Sequence, residues 1–340
     1  RFSGSMSSNL LIVLLLISGL TMLMSGIAAN FETDLKKIIA LSTLSQLGLM
    51  MMILAMGDLV LTFFHLLMHA LFKALLFMCA GCMIHNLLNC QDVRFMGSLL
   101  RFIPLTSCFF NLCNMCLCGL PFLSGFYSKD LILESVSMSF LNSFIYFVFY
   151  FSAGLTVSYS FRLLYFTMLT DYSKLSYFSM VDFGKMQSGM GGLIFLSIMG
   201  GSLISWLIFP IPYFICLPLI MKLAIIMVVM LGFYFGSVIS NTLVMENSKI
   251  FNSYGLSNFF SSMLNLPNLS TFSMAPSVMM FGGAVFLKAD QGWCEFFGSQ
   301  HLFSSLKKGS INMQKLFNNN MKIFLTLLLI WILLMIYCFN

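Results

Sequence analysis

Charge is what this sequence has least of. Asp, Glu, Lys and Arg make up 8% of its 340 residues, against roughly a quarter in ordinary soluble domains. A water-facing shell needs such side chains, so the deficit excludes a soluble enzyme, a nucleic-acid binder and a disordered chain. Alanine is scarce as well for a chain this apolar. No secretory signal is visible, and the opening Arg1-Phe2 raises the expectation of a preceding N-terminal part. Also missing are a Gly-rich phosphate loop, a nucleophile elbow, a haem-type Cys-x-x-Cys-His and a zinc set. No motif here binds a nucleotide or a redox centre.

What is present in excess is apolar: 59% of residues are hydrophobic, with 38 Phe and 29 Met. That bias fits an A- and T-rich, organelle-like genome. The reading is an all-α, polytopic membrane protein. Ten cysteines do not make a disulfide framework. Cys79, Cys82, Cys108, Cys113, Cys116 and Cys118 lie in apolar stretches. The Cys79/Cys82 and Cys113/Cys116 spacings are those of zinc or redox pairs, but such chemistry needs accessible thiolates. Packing as small hydrophobes is the simpler role.

A spanning helix needs about 20 mostly apolar residues. Segments 8–29, 35–57, 60–84, 104–138, 141–168, 188–209, 215–242 and 321–339 qualify. Segment 104–138 is too long for one straight crossing and carries Gly119, Pro121 and Gly125, so it is expected to be two half-helices around a break. The connections alternate between two faces. Lys36, Lys37, Arg94, Arg101, Lys174, Lys185 and Lys249 fall on one; the joints near Asp58, Ser139 and Pro210–Tyr213 hold no Lys or Arg. The first face is therefore the cytoplasm-like or matrix-like side. The stretch 243–320, with Lys288, Asp290, Glu295, Lys307, Lys308 and Lys315, reads as too polar to span. Trp293, Phe296, Phe297, Leu302, Phe303, Leu306, Leu316 and Phe317 recur at helical spacing, which predicts an amphipathic surface helix that Gly298 and Gly309 threaten to interrupt. A C-terminal helix with Trp331 and Tyr337 then crosses to the other face. The resulting divisions are 1–168, 169–242, 243–320 and 321–340.

Ionisable groups inside a bilayer cost at least about 2.5–3.5 kcal/mol each, so each needs a partner, water or a function. His65, His69 and Lys73 stand four residues apart and share one slowly drifting helical stripe. Neutral His passes a proton between its nitrogens, and desolvation makes a lysine's proton labile. A proton relay is the sharp reading. A metal pair at His65 and His69 lacks further ligands, and interhelical hydrogen bonding is the bland alternative. Lys129, Asp130 and Glu134 follow the break, where unpaired backbone and water can host titrating groups. Lys129 is the candidate gated proton site, with Asp130 and Glu134 holding its charge or carrying the proton onward; a local ion pair stabilising the break is the other reading. Arg162 stays protonated, so it is a fixed counter-charge or snorkels to the positive face. Lys222 is a weaker relay candidate. Ser42, Thr43, Ser45 and Gln46 make the second span polar, as a water-ordering face or as interhelical glue.

Four stretches carry a resemblance: Asp34–Gly48, His65–Gly81, Ile84–Arg94 and Gly119-Leu-Pro-Phe-Leu-Ser-Gly-Phe-Tyr-Ser-Lys-Asp130. Together with Asp290-Gln-Gly-Trp293 they resemble the chain 5 family of mitochondrial NADH-ubiquinone oxidoreductase, respiratory complex I, nearest in its arthropod forms. Antiporter-like relatives share the first motifs; the lateral segment singles out chain 5. The resemblance implies an antiporter-like five-helix repeat with a broken helix over 1–168, two further spans over 169–242, a matrix-side lateral helix within 243–320 and an anchor at 321–340. It makes Lys73 the central lysine, His65 and His69 its relay neighbours, and Lys129 the broken-helix lysine on the outlet side. Protons would move from matrix to intermembrane space, driven by quinone reduction in other subunits. This chain would hold no cofactor, whereas the whole complex uses FMN, iron-sulfur clusters and ubiquinone. Its partners would be membrane-arm subunits along the lateral helix and membrane lipids, with no nucleic acid. It would sit as a multi-pass protein in the mitochondrial inner membrane, its C-terminus toward the intermembrane space. One departure is that family members carry another repeat, with an inlet glutamate and lysine, before the position of Arg1. The alternative function is a cation/proton antiporter subunit of the related multisubunit type.

Overall fold

The computed structural model describes residues 3–139, 142–173, 184–244 and 254–339. Lys174 and Lys249, and the side chain of Lys185, lie outside the described residues. The described chain is helical, with one isolated β-bridge between Asp34 and Asp92. It divides into two compact units, Arg1–Asn265 and Leu266–Asn340.

The first unit contains α1 (Ser8–Phe31), α2 (Leu35–Met56), α3 (Leu59–Asn86), the one-turn α4 (Leu99–Phe102), α5 (Pro104–Cys118), α6 (Ser124–Met138), α7 (Ser143–Leu164), α8 (Gly184–Ile208), α9 (Leu219–Val244) and α10 (Tyr254–Ser261). A π turn, Tyr165–Leu169, prolongs α7. Every span expected from the sequence in this unit is found. Segment 104–138 is broken as expected. Pro104 starts α5 where a missing N–H costs nothing. Gly119 ends it at φ +80°, its N–H bonding Cys116 O at 3.2 Å while Leu120 N–H reaches Met115 O at 3.3 Å, a left-handed stop that favours glycine. The second half-helix returns tightly onto the first: a Cβ on Gly125 would stand 1.8 Å from Cys116 O.

Helix α3 occupies the middle and packs on α2, α5, α6 and α8. Its Phe64, Met68, Phe72, Leu75 and Leu76 are buried in one cluster with Ile38, Ile39, Phe110 and Tyr159. The outward faces stay apolar, with Ile12, Leu16, Phe63, Phe147, Trp206 and Leu207 exposed, as a lipid-facing surface requires.

Loops gather at two ends. At one, Leu35 N–H bonds Gln91 O (2.9 Å), Val93 N–H bonds Thr33 O (3.0 Å) and Ser98 N–H bonds Thr170 O (2.8 Å). This end carries Lys36, Lys37, Arg94 and Arg101. The opposite end holds the α2–α3 turn, the α6–α7 joint and the 209–218 connection. There the Tyr146 hydroxyl meets Met221 Sδ at 3.6 Å. Lys36, Lys37, Arg94 and Arg101 thus share one end in space, as read from sequence, while Lys222 stands in the first turn of α9 at the other.

In the second unit a helical run from Asn268 to Asn319 comprises α11 (Ala275–Val285), α12 (His301–Asn319) and π-helical stretches between and before them. Regularity fails at Gly298 (ψ −107°), whereas Gly309 sits inside unbroken α12. The run begins upstream of the polar residues, and by length and composition part of it is apolar enough to cross a membrane, where 243–320 had read as too polar to span. The apolar part is α11, and the amphipathic part is α12. Helix α13 (Met321–Phe339) closes the chain.

Candidate functional site

The stripe on α3 faces the polar side of α2. Four-residue steps on both helices bring groups into register, as they run antiparallel through a turn of two residues, Gly57 and Asp58. The Lys73 ammonium donates to Ser42 Oγ. His65 Nε2 lies 3.3 Å from Gln46 Oε1. His69 stands between them, its ring 6.3 Å from that of His65 and edge-on to Phe72 at 5.3 Å. All three side chains are buried. Thr43 is turned away and bonds Ala40 O of its own helix; Ser42, Ser45 and Gln46 form the face.

The other nitrogen of His65 reaches the broken helix. Nδ1 lies 3.0 Å from Ser128 Oγ, and the next residue on α6 is Lys129. The buried Lys129 ammonium donates to Leu117 O (3.2 Å), one of the carbonyls freed at the end of α5, and to Thr156 Oγ1 on α7 (2.8 Å). The break therefore supplies the lysine with an acceptor that a continuous helix would have consumed. Among the described residues, no carboxylate stands within ion-pair distance of it. The side-chain ion pairs among the described residues are Lys37–Asp34 (2.8 Å) and Arg94–Asp92 (3.9 Å), both at the basic end. Among the described residues, the local ion pair that is the other reading of the break is not formed. Its place is taken by hydrogen bonds to a carbonyl and a hydroxyl.

Asp130 and Glu134 look elsewhere. They line a cavity of about 480 Å³ between α6 and α9, together with Lys222. Gly119 is where the two directions meet: a Cβ there would touch Lys129 Cδ at 3.5 Å and Asp130 Oδ1 at 3.6 Å.

Arg162 is buried rather than snorkelling, and among the described residues it forms no ion pair with a carboxylate. Its guanidinium donates to the carbonyls of Ala29 (3.2 Å), Asn30 and Glu32 at the C-terminus of α1, where the helix dipole presents its negative end. Asn30 Oδ1 in turn accepts from Ser158 Oγ at 2.9 Å. Ser128, Thr156 and Asn30 are the site residues that sequence reading passed over. Nothing about a lone Ser or Thr in an apolar helix marks it from other interhelical hydroxyls.

The cysteines behave as packing groups. Among the described residues no disulfide is formed, and Cys79 Sγ and Cys82 Sγ rest against Met190 Sδ (3.6 Å) and Met186 Sδ (3.4 Å). Among the described residues, no third His, Cys, Asp or Glu joins His65 and His69 as a metal set.

The sequence matches two family models. Residues 1–156 match "NADH:quinone oxidoreductase/Mrp antiporter, TM", and residues 159–339 match "NADH dehydrogenase subunit 5 C-terminus". The chain belongs to the NADH dehydrogenase subunit 5 family. It is 50% identical to NADH-ubiquinone oxidoreductase chain 5 of Aedes aegypti over 324 residues, 95% of this chain and 56% of that one. To chain 5 of Locusta migratoria it is 50% identical over 327 residues, 96% and 57% of the two. The chain thus spans a little over half the length of these curated subunit 5 relatives. Its fold is similar to that in the Mrp complex of Dietzia sp. DQ12-45-1b (TM-score 0.58, 19% identity, covering 89% of this chain and 34% of that one). A second likeness is to the membrane-bound sulfane sulfur reductase, an archaeal respiratory membrane complex (TM-score 0.52, 20% identity, 68% and 44% covered). Membership of the subunit 5 family and the broken-helix fold make this a multi-pass membrane protein.

Proposed function

We propose that this chain translocates protons as part of a membrane-arm subunit of NADH:ubiquinone oxidoreductase, through a relay of Lys73, His69, His65 and Lys129. The observation that carries this reading is the buried run from Ser42–Lys73 through the two histidines to Ser128 and Lys129, which joins the middle of α3 to the broken helix. Among the described residues, His69 Nε2, Gln46 Nε2 and both side-chain polar atoms of Asn114 are buried without a protein partner. Such atoms bind ordered water, and water placed there extends the relay between side chains. Asp130 and Glu134, in the cavity beside Gly119, receive the proton on the outlet side.

Moving one charge against about 100 mV costs about 2.3 kcal/mol, more than the 1.36 kcal/mol of a tenfold change in proton affinity. A lysine of fixed affinity cannot pump. The hydrogen bonds of Lys129 to Leu117 O and Thr156 are of a kind that a shift of the half-helix makes or breaks. Quinone reduction in other subunits drives that shift, and the chain itself supplies no redox centre. FMN, iron-sulfur clusters and ubiquinone belong to other parts of the complex, and membrane-arm subunits and lipids are this chain's neighbours. The complex sits in the mitochondrial inner membrane. The end bearing Lys36, Lys37, Arg94 and Arg101 faces the matrix, protons leave at the opposite end, and α13 carries the C-terminus to the intermembrane space. The divisions 1–168, 169–242, 243–320 and 321–340 are the working parts.

NADH-driven acidification in sealed vesicles tests the reading. Lys129→Met abolishes most pumping while the complex still assembles, and a normal ratio of protons to electrons in that variant contradicts it. The similarity to the Mrp complex favours a second reading, a cation/proton antiporter without an electron donor. Cation-driven proton exchange in membranes without NADH supports that alternative. The helical run from Asn268 to Asn319 argues for the first, since an antiporter needs it only to dock along neighbours.

A further inference from the structure

The cavity between α6 and α9 has two unlike ends. At one lie Glu134, one turn before the end of α6, and Lys222, in the first turn of α9. Asp130 is about 6 Å deeper, at 1.5 Å per residue. No ion pair joins these groups, since the pairs among the described residues are elsewhere. The other lining is apolar: Ile225, Ile226, Val229, Met230 and Phe233 run down α9 toward Pro121 and Phe126 at the break. From Lys222 to Phe233 the helix rises about 16 Å, close to half of a hydrocarbon core about 30 Å thick. The charged end lies at the bundle end where the Tyr146 hydroxyl meets Met221. The cleft is therefore polar at headgroup depth and apolar for one leaflet below it.

We propose that this cleft holds one phospholipid with a primary-amine headgroup. Its ammonium donates to Glu134 and Asp130, its phosphate accepts from Lys222, and one acyl chain lies along Ile225, Val229 and Phe233. Charge complementarity selects this class. An anionic headgroup sets its phosphate beside two carboxylates with only one lysine to balance it. A choline headgroup has no N–H to give to a carboxylate. Amine and phosphate together match two acids and one base, and they solvate three charges that form no ion pair among the described residues. The inference concerns occupancy alone and does not rest on proton transfer.

The test is photolabelling of the intact membrane complex in lipid nanodiscs, with a phosphatidylethanolamine carrying a diazirine deep in one acyl chain. Labelled residues are mapped by peptide mass spectrometry. Label is expected on Ile225, Val229, Met230 and Phe233, competed by unlabelled phosphatidylethanolamine and not by phosphatidylcholine. Lys222→Met is expected to lower labelling about tenfold, the worth of one charge-assisted hydrogen bond. Label confined to the outward Leu223, Met227 and Leu231, or equal competition by the choline lipid, means annular contact only and overturns the proposal. So does stronger competition by an anionic lipid, or an α9 left unlabelled because another polypeptide crosslinks to it.

Discussion

Ser128 Oγ lies 3.0 Å from His65 Nδ1, and this one contact ties the broken helix to the stripe that ends at Lys73. Because Ser128 precedes Lys129, any turn or slide of α6 that repositions the lysine also moves the hydroxyl away from the imidazole. The site is thereby mechanically coupled: the two lysines belong to different helices, yet one hydrogen bond reports on both.

Ser128→Ala removes this link and leaves His65 Nδ1 without its partner. Losing a buried hydrogen bond of this kind costs about 1–3 kcal/mol, so proton translocation falls about tenfold if the link lies on the path. Ser128→Thr keeps the hydroxyl and retains most of the rate. NADH-driven acidification in vesicles separates the two variants, and equal rates argue that the contact only packs helices.

The break is held open by close backbone approach. Gly125→Ala drives a methyl into Cys116 O, 1.8 Å from the Cβ position, where no side chain can yield. Overpacking of this kind costs about 1–3 kcal/mol even where side chains can adjust, so assembly of the complex is expected to drop sharply. Gly189→Ala on α8 meets nothing within 4 Å and leaves assembly unchanged. Blue native gels of the two variants make the comparison.

Arg162 is a clamp on α1. Arg162→Met frees three carbonyls and removes the cation from the helix end, costing about 3 kcal/mol or more. Arg162→Lys keeps the charge but spans fewer acceptors and recovers part of the loss. Thermal inactivation ranks them: wild type, then Lys, then Met.

At the basic end, the hydrogen bond from the Lys37 ammonium holds the Asp34 carboxyl below its ordinary value, against a smaller opposing effect of burial. A carboxylate whose folded value is depressed stabilises above the unfolded value near 3.8, and the benefit is lost as pH falls through the folded value. Asp34 also sits at the bridge to Asp92. Asp34→Asn is therefore expected to lower thermal stability modestly at pH 7, with the difference from wild type closing below about pH 4. A difference that stays constant with pH means the carboxylate charge is irrelevant there.

Much of this was legible because a membrane simplifies the code. Long apolar runs marked the spans, and Gly119, Pro121 and Gly125 marked the break, since each residue type acts on the backbone directly. His65, His69 and Lys73 were visible because a four-residue repeat of ionisable groups is costly in lipid. Their partners were not, because Ser128 and Thr156 owe their roles to which helices meet, and helix-meeting is set by packing spread over many similar Leu, Phe and Met side chains. Arg162 was seen as fixed, but its target is backbone, which has no sequence signature. The parting of Lys129, toward Thr156 on α7, from Asp130, in the cavity beside α9, depended on which helices meet α6. The start of the helical run at Asn268 was hidden because α11 is apolar and the polar spacing begins only beyond it.

The central claim is one serial path through both lysines. The most direct measurement is the ratio of protons moved to electrons transferred for Lys73→Met, Lys129→Met and the double variant, each in sealed vesicles with assembly checked. The account predicts that either single change lowers the ratio and that the double variant lowers it no further, since two breaks in one wire act as one. Normal ratios with reduced thermal stability contradict it and leave the buried lysines as glue between helices.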